Sequence, residues 1–572
     1  MDKHAAAHVL EQIADYLELK GENEFRVRAY RNAADAVESF AGDFAESVRS
    51  GALGDVKGIG SATLDVVREC LATGRSTALE TLRGEVPPGL VEMMRIGGLG
   101  VSKIRAIHQQ LGLGTIAELA VAATDGRLAT LPRFGEKTAA KILRGIEFLR
   151  RTGEFHLLHS ALRQGETFRR AVLGVPGVEA AEIAGSVRRR CELVRDVDLA
   201  VAATIAPANL SARIAALSGI KDVVGQGDTT FAVHFDDGMA AKLYVGPPAQ
   251  FGHLLVRTTG NRAHLDALVR VAAARGLALD ERDLTRDGAL LPCPDEAALY
   301  GALGLQLVPA EMREGLGEVD RAATGALPRL VERGDLQGFV HCHTVYSDGT
   351  NTVAELAEAC RAAGYRYIGI TDHSEAAAYA GGLTEEALLR QHAEIDAFNT
   401  HSQDIRVLKG IEADILADGA LDYTPAFLDR FDFVIASIHS RFDMDQKTMT
   451  ARVLKALDDS HTAIVGHPTG RLLLQRDPYP LDMHAVIARA AERGVAIEIN
   501  ADPHRLDLDW RLCIEAKAKG VRVPIGADAH SIAGMANVDL GIGIARKAGL
   551  TKDDVLNARD LEGFLAHAHA RR

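Results

Sequence analysis

Between residues 338 and 530 seven stretches share one form: GFVHCH, YIGITDH, VLKGIEAD, FVIASIHS, AIVGHP, AIEIN and VPIGADAH. Each is a short apolar run ending in polar residues, mostly histidines or acids. The side chains that could do chemistry are His341, His343, Asp348, His373, Glu412, His439, His467, Asp528 and His530. Imidazole and carboxylate without thiolate suit zinc, manganese or iron better than calcium. HxH on a strand puts both imidazoles on one face, as does the DxH of Asp528 and His530. Nine ligands exceed the needs of one ion, so two or three clustered ions are expected, with Glu412 bridging. The ordinary reading of any one of these histidines is a satisfied structural side chain, and that reading would have to hold independently at each strand end.

A second set of acids lies upstream. From Ala184 the chain reads AGSVRRRCELVRDVDLAVAA, in which Gly185 and Ser186 follow a short apolar strand and Asp196 and Asp198 share one face of the next. Paired acids on one strand face repel unless a cation joins them, as in magnesium sites for nucleotide phosphates. A solvated strand edge is the alternative for such a pair alone; the preceding Gly-Ser and the cluster Arg188, Arg189 and Arg190 favour the magnesium site. A third feature repeats near the N-terminus: VKGIGSATLDVV from Val56, IGGLGVSKIRAI from Ile96 and LPRFGEKTAAKI from Leu131. Each predicts a helix end, a tight glycine turn (Gly58 and Gly60; Gly98 and Gly100; Gly135) and a new helix. Free N–H groups at such a helix start bind anions, and Lys103 and Lys137 stand just beyond two of the turns. A glycine-capped helical packing unit is the plainer alternative for one copy; three copies favour anion sites.

These groups need rigid supports. Apolar strands alternating with alanine-rich helices such as TVAELAEACRAAG predict a parallel barrel of seven strands with its polar residues at the C-terminal ends. The first 150 residues predict helices throughout. At 572 residues the chain is expected to hold several domains, and 47% apolar with 25% charged residues is an ordinary globular composition. A net charge of −13 argues against a protein that coats nucleic acid by bulk electrostatics but leaves room for local basic patches. Six cysteines, none in a CxxC, argue against disulfides and thiolate zinc sites. Neither a signal peptide nor a membrane span is indicated, so the expectation is a cytoplasmic protein.

The glycine repeat resembles the helix-hairpin-helix motif, which implies that Gly58, Gly60, Gly98, Gly100, Lys103, Gly135 and Lys137 hold DNA backbone phosphates without reading sequence, and three copies favour that role. Residues 1 to about 320 resemble a bacterial family X DNA polymerase, through that motif, the GS…RR…DxD signature, GPPAQFGHLLVRTTGNRAH and ALGLQLVPAEMREGLGE. Residues from about 338 resemble the PHP phosphoesterase domain, with every ligand position of its trinuclear site matched. The fold class implied is multidomain: a helical hairpin region (1–150), an α+β nucleotidyltransferase palm and thumb (151–320), a linker (321–337) and a seven-stranded (β/α) PHP barrel (338–572). The resemblance implies that Gly185, Ser186 and Arg189 bind nucleotide phosphates and that Asp196 and Asp198 are catalytic, holding magnesium or manganese. It implies manganese or zinc in the barrel, and Arg505, in EINADPHRLDLD, is a candidate catalytic phosphate clamp. Arg441 is a weaker candidate of the same kind.

The chain departs from the family where MAAKLYV places Lys242 at the position of the third aspartate. A cation there replaces an attraction to a divalent ion by a repulsion, each worth roughly 4 kcal/mol at about 4 Å and an effective dielectric near 20. Asp236 or Asp237 could substitute. Arg195 replaces a glycine, Arg257 and Thr258 replace a Tyr-Phe pair, and Leu265 follows His264 in place of an asparagine. Ala62 and Val66 stand where lyase members carry lysine, so no lyase activity is expected. The expectation is a DNA repair enzyme acting on gapped, nicked or 3′-recessed DNA. Its metal-dependent 3′-5′ exonuclease and abasic-site processing reside in the barrel, and its palm binds nucleotide but polymerises weakly. An active gap-filling polymerase, a small-molecule phosphatase and a DNA scaffold are the alternatives.

Overall fold

The computed structural model describes residues 3–38, 40, 43–97, 99–132, 134–236 and 238–572. The chain forms two compact units, 1–154 and 155–572. The first is helical. Its opening helix Lys3–Lys20 places Leu10, Ile13, Ala14 and Leu17 on one stripe at the spacing of a single helix face, and all four are buried. That stripe belongs to a core that includes Val37, Val67, Met93, Ile104, Ile107 and Ile142 from later helices. Three of those helices, Ser61–Thr73, Val101–Leu111 and Glu136–Thr152, start directly after Gly60, Gly100 and Gly135. Among the described residues no helix is long and apolar enough to cross a membrane.

The second unit opens with a mixed five-stranded sheet in the order 178–183, 197–203, 240–246, 230–235, 220–225. The strands 197–203 and 240–246 run parallel and pair Asp198 with Lys242. A smaller layer follows, in which helices Phe251–Thr259, Arg262–Ala274 and Glu296–Ala302 and a three-stranded sheet enclose Val256, Leu268, Leu284, Leu299 and Tyr300.

The remainder is a parallel sheet with helices between its strands. Its strands Phe433–Ser437 and Thr462–Val465 are buried throughout, which is why they read as unbroken apolar runs. Eight hydrogen-bonded strands are present, but two of them, Ala496–Ile497 and Ile499–Asn500, are halves of the AIEIN segment and stand at the two ends of the sheet order. The seven predicted segments therefore form the ring, with the sixth divided at Glu498. The Glu498 N–H donates to Val465 O at 3.0 Å on one side, and the Ile499 N–H donates to Pro524 O at 2.9 Å on the other. The sheet thus closes on itself through this segment.

Barrel and palm share one apolar core, which runs from Leu158 and Val201 to Phe339 and Val523. A polar clasp accompanies it. Lys547, 4% exposed on the barrel helix Val538–Lys547, donates to Glu314 and to Arg189 O (3.0 Å). Arg546 binds Glu311 at 2.7 Å, and Arg471 lies 3.5 Å from Glu192.

Candidate functional site

At the C-terminal mouth of the barrel all nine sequence-selected ligands converge. Four overlapping groups hold their ligand atoms within 4.8 Å of one another: His343, Asp348, His373 and His530; His341, Glu412 and His467; His341, His343 and Asp528; His373, Glu412 and His439. Glu412 belongs to two of them. One of its oxygens lies 3.3 Å from His341 Nε2, 3.3 Å from His439 Nε2 and 2.8 Å from His467 Nε2, and the other lies 2.9 Å from His373 Nδ1. That is the position of a bridging carboxylate.

The convergence uses a device that simple alternation does not describe. The strand Gly338–Cys342 shifts register between Val340 and Cys342, and His341 takes a left-handed backbone, φ 61°. His467 and Asp528 do likewise, at φ 26° and 50°. Such conformations cost on the order of 1–3 kcal/mol each and persist where surrounding packing fixes them. The HxH pair still meets, with ring centroids 5.5 Å apart.

A second layer orients the ligands, and sequence reasoning missed it. His341 Nδ1 is held 2.6 Å from Glu498, and His439 Nδ1 is held 2.6 Å from Asp414. Glu498 also accepts the His467 N–H at 2.8 Å, and Asn500 donates to Asp528 at 3.0 Å. Gly526 makes this possible, because a Cβ there would fall 2.0 Å from Glu498 Oε1. Asp372 receives the Thr344 N–H at 2.7 Å and so fixes the loop that carries Asp348. The available signals were spacing: Asp414 is two residues from Glu412, and Glu498 is the lone acid in a buried strand.

The electrostatics describe a site built around positive charge. Burial alone would raise the Glu412 carboxyl, yet His439, His341 and His373 hold it well below the usual range. Burial would lower His373, yet Glu412 and Asp348 raise it to about 10. Burial and the neighbouring His373 push His343 down to about 4, which keeps that ring in its neutral, ligating form. His341 Nε2 and His343 Nδ1 are buried and make no hydrogen bond. Orphaned donors and acceptors of this kind, aimed into one cleft among acids, fit divalent ions. Arg505 stands beside the cluster, its Nε 3.5 Å from Asp528 and its side chain 19% exposed. Arg441 is exposed, with φ 57°. Asp502 receives the His504 N–H at 2.8 Å.

In the palm, Val197 and Leu199 are buried while Asp198 is half-buried on the opposite face. Burial and the adjacent Asp196 raise Asp198 to about 6. Lys242 Nζ lies 4.0 Å from Asp196 Oδ2. Gly185, at φ 60°, lets Asp198 approach closely, since a Cβ there would fall 1.8 Å from its carboxylate oxygen. Ser186 is half-buried in the helical turn Gly185–Arg188. Arg189, expected at a nucleotide phosphate, instead contacts Glu314 at 2.9 Å and donates to Thr259 O at 2.7 Å. Arg188 pairs with Glu296 at 2.7 Å. Asp236 lies beyond Phe235 while Lys242 pairs with Ala232, a separation of about 13 Å along the strand, so it does not stand in for the missing acid. Asp237 lies outside the described residues. Arg195 lies over the Phe155 ring at 4.9 Å, Arg257 over the Tyr244 ring at 6.0 Å, and Leu265 packs against the core of the smaller layer.

In the helical unit, a Cβ on Gly60, Gly100 or Gly135 would meet nothing within 4 Å, and none of the three has positive φ. Nothing inside the described fold demands glycine there. The helices that carry Lys103 and Lys137 begin with no side-chain cap. Gly58, at φ 102°, does require glycine. Gly98 lies outside the described residues.

The chain matches models of a helix-hairpin-helix domain (residues 1–76), a SAM-like helix-hairpin-helix tandem (90–147), the DNA polymerase beta thumb (254–314) and the PHP domain (340–502). Over 572 residues it is 36% identical to the DNA polymerase/3′-5′ exonuclease PolX of Bacillus subtilis (strain 168), with 99% of each chain covered. The chain belongs to the PolX family. Part of the chain also matches probable phosphatases. One from Thermoanaerobacter sp. (strain X514) is 28% identical, covering 38% of this chain and 88% of its own length. One from Acetivibrio thermocellus is 32% identical over 33% and 78% respectively. Membership of the family accounts for the fold of both halves and for the order in which they occur.

Proposed function

We propose that the protein processes DNA 3′ ends in repair, through metal-dependent 3′-5′ phosphodiester hydrolysis in the barrel, and that its palm binds DNA or nucleotide but extends primers weakly. The observation that carries this reading is the asymmetry between the two sites. Nine ligands and their orienting acids meet in the barrel, whereas in the palm a lysine neighbours the two remaining acids. The relative's name joins a polymerase to an exonuclease, and the hairpin glycines give the chain a means to hold a DNA backbone.

Two or three manganese or zinc ions held by His341, His343, Asp348, His373, Glu412, His439, His467, Asp528 and His530 would activate water and neutralise charge on the phosphate oxygens. The chain's own residues prepare that chemistry. Glu498 and Asp414 fix the His341 and His439 tautomers so that both Nε2 atoms face Glu412. Arg505, 3.5 Å from Asp528, would receive a phosphate oxygen, and the buried setting of the cluster strengthens each of these interactions. In the palm, Asp196 and Asp198 would hold one magnesium or manganese ion weakly. A nucleotide phosphate would reach Arg189 only after displacing Glu314.

The test is a single manganese-supplemented assay on gapped, 3′-recessed and abasic DNA, read for extension and shortening in the same lanes. Wild type should shorten 3′ ends and extend little, and His343→Ala should abolish shortening while leaving DNA affinity unchanged. Efficient one-nucleotide gap filling by wild type would overturn the reading of the palm. That second reading, a working gap-filling polymerase, is favoured by the intact Asp196 and Asp198 and by likeness along the whole chain.

A further inference from the structure

Beside the ligand cluster stands a residue that the metal chemistry does not use. Tyr379 is 73% exposed. It lies 6.3 Å from the His373 ring and 6.2 Å from the His439 ring, centroid to centroid, so it borders the cleft at two of its ligands. Its exposure does not come from a slack loop. The segment 374–383 is closed at its base by a Ser374–Leu383 bridge and by the Leu383 N–H donating to His373 O at 2.9 Å. The Ala376 N–H donates to Asp422 at 2.7 Å, and the Glu375 N–H donates to the Tyr423 hydroxyl at 3.1 Å. Ala377 and Ala380 are buried on either side, and Gly382 packs so tightly that a Cβ would fall 2.1 Å from Ser374 O. A braced turn therefore presents one aromatic ring to solvent at the rim of a phosphate-cutting cleft.

We propose that Tyr379 is a stacking platform for the base of the nucleotide at a DNA 3′ end, and that it sets the preference of the barrel for nucleic acid over small phosphate esters. The inference rests on the hydrolytic reading above. A ring face accepts any base, so it confers affinity without sequence preference. Because the ring borders two of the ligand histidines, a base stacked on it would lie beside the cluster. Tyr379 is thus a positioning residue that orders the scissile phosphate by holding the base next to it.

The experiment compares wild type, Tyr379→Phe and Tyr379→Ala, each loaded with manganese, on two 3′-recessed duplexes. One carries a normal 3′ terminus and the other carries abasic residues at its last two positions. Base stacking of this kind changes affinity by about 10- to 100-fold. Tyr379→Ala should raise KM on the normal end by that factor with little change in kcat, and should leave the abasic end unaffected. Tyr379→Phe should behave as wild type. An unchanged KM for Tyr379→Ala, an equal loss on both ends, or a Phe variant as impaired as the Ala variant would overturn the platform. If wild type cuts neither duplex, the hydrolytic reading falls and the platform with it. If wild type cuts and Tyr379→Ala cuts equally well, only the platform falls.

Discussion

At the residue scale, Lys242 is the side chain on which the proposed weakness of the palm rests. Its ammonium lies 4.0 Å from Asp196 and its backbone pairs with Asp198, so it sets a positive charge beside the two palm acids. Lys242→Asp restores a third carboxylate on the face that already carries two, and primer extension on gapped DNA should rise at least tenfold. The same substitution should leave 3′ shortening unaltered, because the barrel ligands belong to a separate cluster. An extension rate equal to wild type would show that Arg195, Arg257 and the Arg189–Glu314 contact suffice to silence the palm. Single residues were legible in the sequence where chemistry is costly to tolerate without a purpose: a histidine or acid ending an apolar run needs a reason. Glu498, Asp414 and Tyr379 were not, because an acid or a ring has the same letter whether it faces water, braces a ligand or borders a cleft.

At the element scale, the hairpin glycines separate two requirements that usually coincide. Gly58 is demanded by its own backbone, whereas Gly100 and Gly135 cap helices at negative φ with open space where a Cβ would stand. Gly135→Ala should therefore change stability by no more than about 1 kcal/mol, the scale of a weakened N-cap. It should still lower affinity for gapped DNA several-fold, measured by fluorescence anisotropy at low salt. Unchanged affinity would assign this turn to packing alone. Repetition made these elements readable from the residues alone, as did the recurrence of apolar strands with polar ends. What recurrence did not reveal was how the strands bend: the left-handed His341, His467 and Asp528 turn a period-two pattern into a converging one. Their backbone angles depend on packing from strands far away in sequence. The division of AIEIN at Glu498 is of the same kind, since closing the ring and bracing His341 are demands that only the assembled barrel makes.

At the scale of the whole molecule, the palm, the smaller layer and the barrel are joined by charged groups that have left water. Glu296 binds Arg188 at 2.7 Å and Arg313 at 2.6 Å, and Arg313 is 1% exposed. Burial would raise the Glu296 carboxyl, but the two guanidinium groups hold it down to about 2, below its ordinary 4.5. A carboxyl lowered on folding stabilises fully above its unfolded value, and the benefit disappears as pH falls from about 4.5 toward 2. Denaturation midpoints of wild type and Glu296→Gln should accordingly differ most at pH 6 and converge toward pH 3. A constant difference would mean that the pair contributes packing and hydrogen bonds without a titratable share. Domain order was readable because each module carries its own motif, but the shared core of palm and barrel was not, because contacting surfaces carry no periodic signature.

The clasp of Lys547, Glu314 and Arg189 bears on how such a protein can be inherited. A hydrolase that merely trailed behind a polymerase could be lost or exchanged like a cassette, with a flexible tether taking up the difference. Here excision of the barrel would strip the lysine from a half-buried carboxylate, open an apolar face on the palm and release the loop that carries Arg189. A nuclease built in this way keeps the polymerase body as its scaffold whether or not that body synthesises DNA.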